Sequence, residues 1–290
     1  MLFDQILAGL IAGSVYSLMA IGYSLVFAST RLLHFAQGDL LMLGGFVGLS
    51  LVGVLGRNPL AVMLGVLVVV ASFGFVLERF AYRPIPVRLT SVRIISTIGV
   101  GLALRNLAAV AWTASAVALP ENFFPGPSLV ISQFTVRPVY YWVMGLSLTL
   151  MVVLALFLSR TRLGLAVRAT AYNAEIAELM GMNSSLAKSV SFTIAAGLTG
   201  LGGVLVAPLT FIHYEMGVSL GLTGFAAAVL GGLGSIPGAI VGGYALGLIE
   251  TFGAGFISSG YKDSIAFVVL ILILLLKPSG LLGVPVQEKV

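Results

Sequence analysis

The sequence predicts an all-α fold, a polytopic bundle of membrane-spanning helices, and three observations carry that prediction. Of the 290 residues, 59% are hydrophobic and only 9% are charged, a balance far from that of soluble domains. The apolar residues fall into uncharged runs of about 20, the length an α-helix needs to cross the hydrocarbon core. The charged residues, with a net excess of +5, collect in the gaps between those runs. In a soluble protein such a basic balance would suggest nucleic acid. Here the cations set membrane topology, so the bilayer is the expected partner and no nucleic acid is.

Spans are predicted near 5–28, 36–55, 60–78, 94–116, 139–158 and 187–209. A Gly-rich stretch over 218–253 follows, then a last apolar run ending at Leu276. The motif GGLGSIPGAIVGG at 231–243 interrupts the stretch, because Pro237 and its neighbouring glycines break helix continuity. Two spans about a tight turn fit the charge pattern there. The run from Ser264 to Leu276 is shorter than a full span, so Tyr261 and Lys262 would have to snorkel at its outer end. The total is eight or nine spans in a single transmembrane domain over 1–290, with no room for a separate soluble domain. No cleavable signal peptide is predicted, since no Lys or Arg precedes Arg31 and the first run is long enough to span. The absence of cysteine excludes disulfides and thiolate metal sites.

Orientation follows from Lys and Arg. Arg79, Arg83, Arg88 and Arg93 mark the connection 79–93, and Arg160, Arg162, Arg168 and Lys188 mark the connection 159–188; both belong in the cytoplasm. Between them 117–138, with PENFFPGPS and only Arg137, reads as an outer loop. Counting back places Arg31 and His34 inside and the N-terminus outside. Counting forward makes 210–219 external, and Lys277 and Lys289 favour an internal C-terminus.

The 159–188 connection holds a short helix with legible ends. Asn173 is a good N-cap, Glu175 stands in the first turn where the helix dipole favours an anion, and Gly181 is placed to end the helix in the left-handed conformation. The helix itself runs through Ala174, Glu175, Ile176, Ala177, Glu178, Leu179 and Met180. Two turns cannot hold alone in water. The segment is therefore predicted to dock on a soluble partner.

Ionisable residues inside spans are costly and mark function by default. Arg105 falls mid-span, Asp39 opens the second span and Glu250 lies late in the Gly-rich region; these are the candidates for a translocation path. The plainer alternative for Arg105 is an ion pair with Glu250 or Asp39, or a contact to a partner subunit, and Glu78 beside Arg79 reads as an interface marker. His34 and His213 are isolated, and no metal ligand set is predicted. No Ser/His/Asp set, H-E-x-x-H or paired-carboxylate spacing supports an enzyme. Small-xxx-small ladders recur at Gly9/Gly13, Gly44/Gly48 and Gly234/Gly238/Gly242, and predict close helix packing. Gly231, Gly232, Gly234, Pro237, Gly238 and Gly242 form the candidate hinge and packing set. Their G-x-G-x-x-x-G spacing is not that of a nucleotide loop.

Several motifs in order give the chain a resemblance over essentially its whole length. These are GLIAGSVYSLMAIGYSLVFASTRLLHFAQGDLLMLGGF with Phe35, Ala36, Gly38 and Asp39, then ERFAYRP at 78–84, AAVLGGLGSIPGAIVGG at 227–243, and KPSGLLG with EKV at 288–290. They resemble the LivH-type permease subunit of bacterial branched-chain amino-acid ABC transporters. The resemblance implies a multi-pass protein of the bacterial cytoplasmic (inner) membrane, paired with a second related permease on two cytoplasmic ATPases. A periplasmic or lipid-anchored amino-acid-binding protein would deliver the substrate. ATP and Mg would reside on the ATPases, leaving this chain without cofactor or enzymatic role, and the 173–181 helix would be the ATPase-coupling helix. Transport would run by alternating access. Arg105 departs from the expected neutral side chain on that span. Two alternatives stand beside this reading: the same architecture for another solute such as urea, a short amide, a different amino acid or a sugar, and an ATPase-independent secondary transporter using Asp39 and Glu250.

Overall fold

A computed structural model describes residues 2–283 apart from 87, 121, 132, 133 and 257. Lys289 and the EKV motif lie outside the described residues, as does Glu121 of the outer-loop motif. Helices α1 (Leu2–Thr30), α2 (Gln37–Leu55), α3 (Pro59–Val76) and α4 (Thr90–Ala111) are followed by a small hairpin, β1 (Leu129–Ile131) and β2 (Phe134–Val136). Then come α5 (Pro138–Arg160), α6 (Arg162–Tyr172), α7 (Ala174–Leu179), α8 (Ser184–Val206), α9 (Met216–Gly231), α10 (Ile236–Phe256) and α11 (Lys262–Leu276). Among the described residues seven helices are long and apolar enough to cross a membrane, and Met216–Gly231 and Ser264–Leu276 are shorter apolar helices. The protein is a polytopic helical bundle.

Helices α1 and α8 form its centre and are buried over most of their length. Their neighbours approach closely because small residues line the contacts. Gly9 and Gly13 meet Leu248 and Tyr244 of α10, while Gly44 of α2 lies against the backbone of Gly200 in α8. A side chain at Gly44 would meet main chain that cannot move aside. Apolar side chains gain little by associating within lipid, so this close approach is a main source of cohesion. Gly238 and Gly242 of α10 pack on Gly231 and Ala227 of α9. Gly234 differs from its sequence ladder: it sits in the α9–α10 turn at φ +89°, where a glycine is favoured, and it faces Phe27 and Ala28 of α1 at ordinary van der Waals distance. The motif does break the helix, between Gly231 and Ile236, and Pro237 lies just past the break in the first turn of α10, where its missing N–H is harmless.

Other departures have physical causes. The third span does not end at 78: it continues as a π-helical turn, Leu77–Tyr82, so the basic connection narrows to 83–89. The connection preceding α9 is not a surface loop throughout. Ile212 is fully buried against Gly45 in the middle of α2, and Gly217 meets Gly38. Helix α9 thus starts inside the bundle, and its 16 residues cover about 24 Å, short of the bilayer core. Irregular backbone at that depth is tolerated because protein surrounds it.

The loops assigned to opposite sides by charge separate in space accordingly. Val117 pairs with Ile212 through two backbone hydrogen bonds, joining two connections predicted to be external. Gly255 near the end of α10 packs on Gln5, at the N-terminal end of α1. On the other side Arg83 reaches Ser185 and Ser189, and the amides of Leu281 and Leu282 donate to the carbonyls of Leu230 and Gly231.

Candidate functional site

Three polar regions stand out from the apolar bundle. The first is the α5–α8 connection. Thr161 caps α6, its hydroxyl accepting from the Gly164 amide at 2.9 Å. Asn173 caps α7, its Oδ1 accepting from the amides of Glu175 (3.0 Å) and Ile176 (3.1 Å). At the other end the Met182 amide donates to Ala177 O and the Gly181 amide to Glu178 O, each at 2.9 Å, with Gly181 at φ +79°. This pair of hydrogen bonds with a left-handed glycine is a Schellman ending. The Ser184 hydroxyl donates to the Glu178 carboxylate and ties α7 to the start of α8. Ala177 faces the protein, whereas Tyr172 is 89% exposed, Leu179 86% and Met180 74%. A helix of six residues is thus locked at both ends and offers an apolar surface outward. Helix α6 was not anticipated; Thr161 followed three residues later by a glycine amide was its only local signal.

The second region is an ion pair whose carboxylate is buried and whose guanidinium is partly exposed. Arg105 of α4 donates from Nε to Asp39 Oδ1 at 2.7 Å and from Nη2 to Oδ2 at 3.4 Å. Asp39 is enclosed by the first turn of α2 and by Gly101, whose missing side chain makes room for the carboxylate. The pair borders a cavity of about 150 Å³ between α1, α2, α4 and α9, with Phe35, Ile98, Leu222 and Phe225 on its apolar walls. Glu250 is elsewhere: it is buried on α10 and accepts from the Tyr16 hydroxyl at 2.5 Å. Of the three candidates for the path, Asp39 and Arg105 come together and Glu250 does not join them.

The third region joins residues that the sequence left separate. His34 is not isolated; it is buried between Gln37 and Tyr82. Gln37 Nε2 donates to Ala195 O (3.1 Å) and to Thr199 Oγ1 (2.6 Å), which fixes its Oε1 as the group facing His34 Nδ1 at 2.8 Å. His34 Nδ1 therefore donates, and the neutral ring accepts from the Tyr82 hydroxyl at Nε2, 2.9 Å away. Burial lowers its pKa to about 4, against a smaller upward pull from Gln37. Glu78, read as an interface marker, is buried in the π-turn. It takes two hydrogen bonds from Arg83, at 3.0 and 2.7 Å, and one from Ser189 at 2.8 Å. The π-turn creates this pairing by placing residues five apart one above the other, as the Arg83 N–H to Glu78 O bond shows.

The fold and these regions can be set beside known proteins. The family model described as "Branched-chain amino acid transport system / permease component" matches residues 5–274. The high-affinity branched-chain amino acid transport system permease protein BraD of Pseudomonas aeruginosa is 36% identical, over 99% of this chain and 97% of that protein. Its counterpart LivH of Escherichia coli is 34% identical with the same coverage. The ribose import permease protein RbsC of Escherichia coli is 29% identical over 90% of this chain and 82% of its own length. Among solved structures, PsaBC from Streptococcus pneumoniae in complex with Fab has a similar fold. Its TM-score is 0.51 at 13% identity, covering 94% of this chain and 91% of that one. A family match over nearly the whole length, joined to full-length identity above 30%, decides the matter: this multi-pass membrane protein belongs to the permease family of branched-chain amino acid transport systems.

Proposed function

We propose that the chain is one of two permease subunits of an ATP-driven importer in a bacterial cytoplasmic membrane, carrying branched-chain amino acids inward. The observation that carries this reading is α7, a helix too short to stand alone that is capped at both ends and turns Leu179 and Met180 to solvent. Such a surface suits a groove on a soluble ATPase. Two ATPases would bind ATP and Mg and perform the hydrolysis. A binding protein outside would select the amino acid and hand it over.

Coupling would pass through rigid parts. Movement of α7 is transmitted to α8 by the Ser184–Glu178 bond and to α5 through α6. Helix α8 packs on α1, α2 and α3, so a tilt imposed at its inner end reorients the core of the bundle. Asp39 and Arg105, with the cavity they border, are the proposed polar station on the path, and Glu250 a second point on α10. The glycines at the α9–α10 turn would serve as the hinge between conformations. Purification in mild detergent tests the proposal: recovery of a second permease and two ATPases is expected, whereas a lone chain that transports in liposomes without ATP would overturn it. The likeness to a ribose import permease supports one second reading, the same machine serving another solute. Uptake assays with isoleucine and ribose in the purified assembly separate the two.

A further inference from the structure

The inner end of α3 and the start of α8 line an open recess of about 320 Å³. Arg79, Arg83 and Ser185 supply its polar wall, and Phe75 and Leu186 its apolar rim. Arg83 is neutralised by Glu78 at 2.7 Å, but among the described residues Arg79 has no ion-pair partner. The cavity therefore carries one uncompensated positive charge. With Arg83 held by Glu78, the Arg79 guanidinium is the one cation of the recess left to meet an anion. Phosphate oxygens suit that position, since they accept from guanidinium donors in charge-assisted hydrogen bonds.

The depth of the site says which phosphate. The 18 residues of α3 rise about 27 Å from Pro59, close to the thickness of the hydrocarbon core. Arg79 follows directly, at headgroup level on the cytoplasmic side. Phe75 and Leu186 on its rim are exposed, where acyl chains would lie. We infer that this cavity binds the phosphodiester of an anionic glycerophospholipid, with its acyl chains along Phe75 and Leu186. A zwitterionic headgroup fits less well, because its own cation would be driven against Arg79. A bound lipid would staple the π-turn to the first turn of α8, four residues beyond α7, and so stiffen the root of that helix.

Native mass spectrometry of the full chain, in the assembly with which it purifies, tests this by titration with phosphatidylglycerol and phosphatidylcholine in neutral detergent. Phosphatidylglycerol adducts are expected, weakened about fivefold by Arg79→Gln through loss of one headgroup-level cation. Arg88→Gln, in the basic connection that follows the π-turn but outside the cavity, should leave them unchanged. The proposal falls if Arg79→Gln has no effect, or if Arg88→Gln weakens binding equally. It also falls if phosphatidylcholine binds as well, or if millimolar inorganic phosphate displaces the lipid.

Discussion

The α7 segment and the Asp39–Arg105 pair are both polar features of an apolar chain, yet they are built by opposite means. In α7 every determinant is local. Asn173 caps amides two and three residues ahead, and Gly181 and Met182 close on carbonyls three and five residues behind. Such bonds set where the helix begins and ends, while Ala177 seats it on the protein and its exposed face is left for a partner. Asp39 and Arg105 are 66 positions apart and meet only because α2 and α4 pack side by side around Gly101. Local polar structure can therefore be changed without unfolding the protein, whereas the buried pair belongs to the bundle itself.

The largest expected effect tests the first half of that contrast. Leu179→Asp with Met180→Asp places two charges on the exposed face of α7 and should reduce ATPase co-purification more than tenfold. Thermal stability of the permease should stay unchanged, and retained association would show that α7 is not the docking surface. Glu175→Lys with Glu178→Lys should likewise uncouple transport, with a further loss of the Ser184 tie.

The buried pair should respond in the opposite way. Arg105→Gln leaves the Asp39 carboxylate buried without its cation, a loss of about 3 kcal/mol in stability, measurable as reduced expression and unfolding at lower denaturant. Adding Asp39→Asn should restore most of that stability. If uptake returns with it, the pair is structural; if folding returns and uptake does not, the pair is part of the path.

His34 gives a pH-dependent version of the same test. Its folded pKa of about 4 lies below the ordinary 6.5, so folding favours the neutral ring. The stabilisation is complete above pH 6.5 and is lost as pH falls from there toward 4. His34→Gln should flatten that part of the thermal-stability profile. A profile identical to the parent would mean that His34 is not the titrating group.

The smallest effect is expected at Asn173→Ala. Loss of the cap costs about 1 kcal/mol, confined to α7. Amide exchange at 175–180 should accelerate about fivefold while exchange in α8 is unaltered.

Much of this protein was determined by sequence alone, because the relevant physics is either compositional or short-range. Apolar runs must become helices in lipid, where each backbone polar group needs an internal partner. The Lys and Arg positions mark the connections between them, and the Asn173 and Gly181 signals bound α7. The tertiary structure decided everything that depends on distant neighbours. It chose Asp39 over Glu250 as the partner of Arg105, and it joined His34 to Tyr82 across 48 positions. It also buried Ile212 in what reads locally as an outer loop, and extended α3 by a π-turn that sets Glu78 beneath Arg83. A side chain's sequence neighbourhood carries no record of which helix will pack against it. Where small residues let two backbones approach, the pairing of polar groups is settled by that packing.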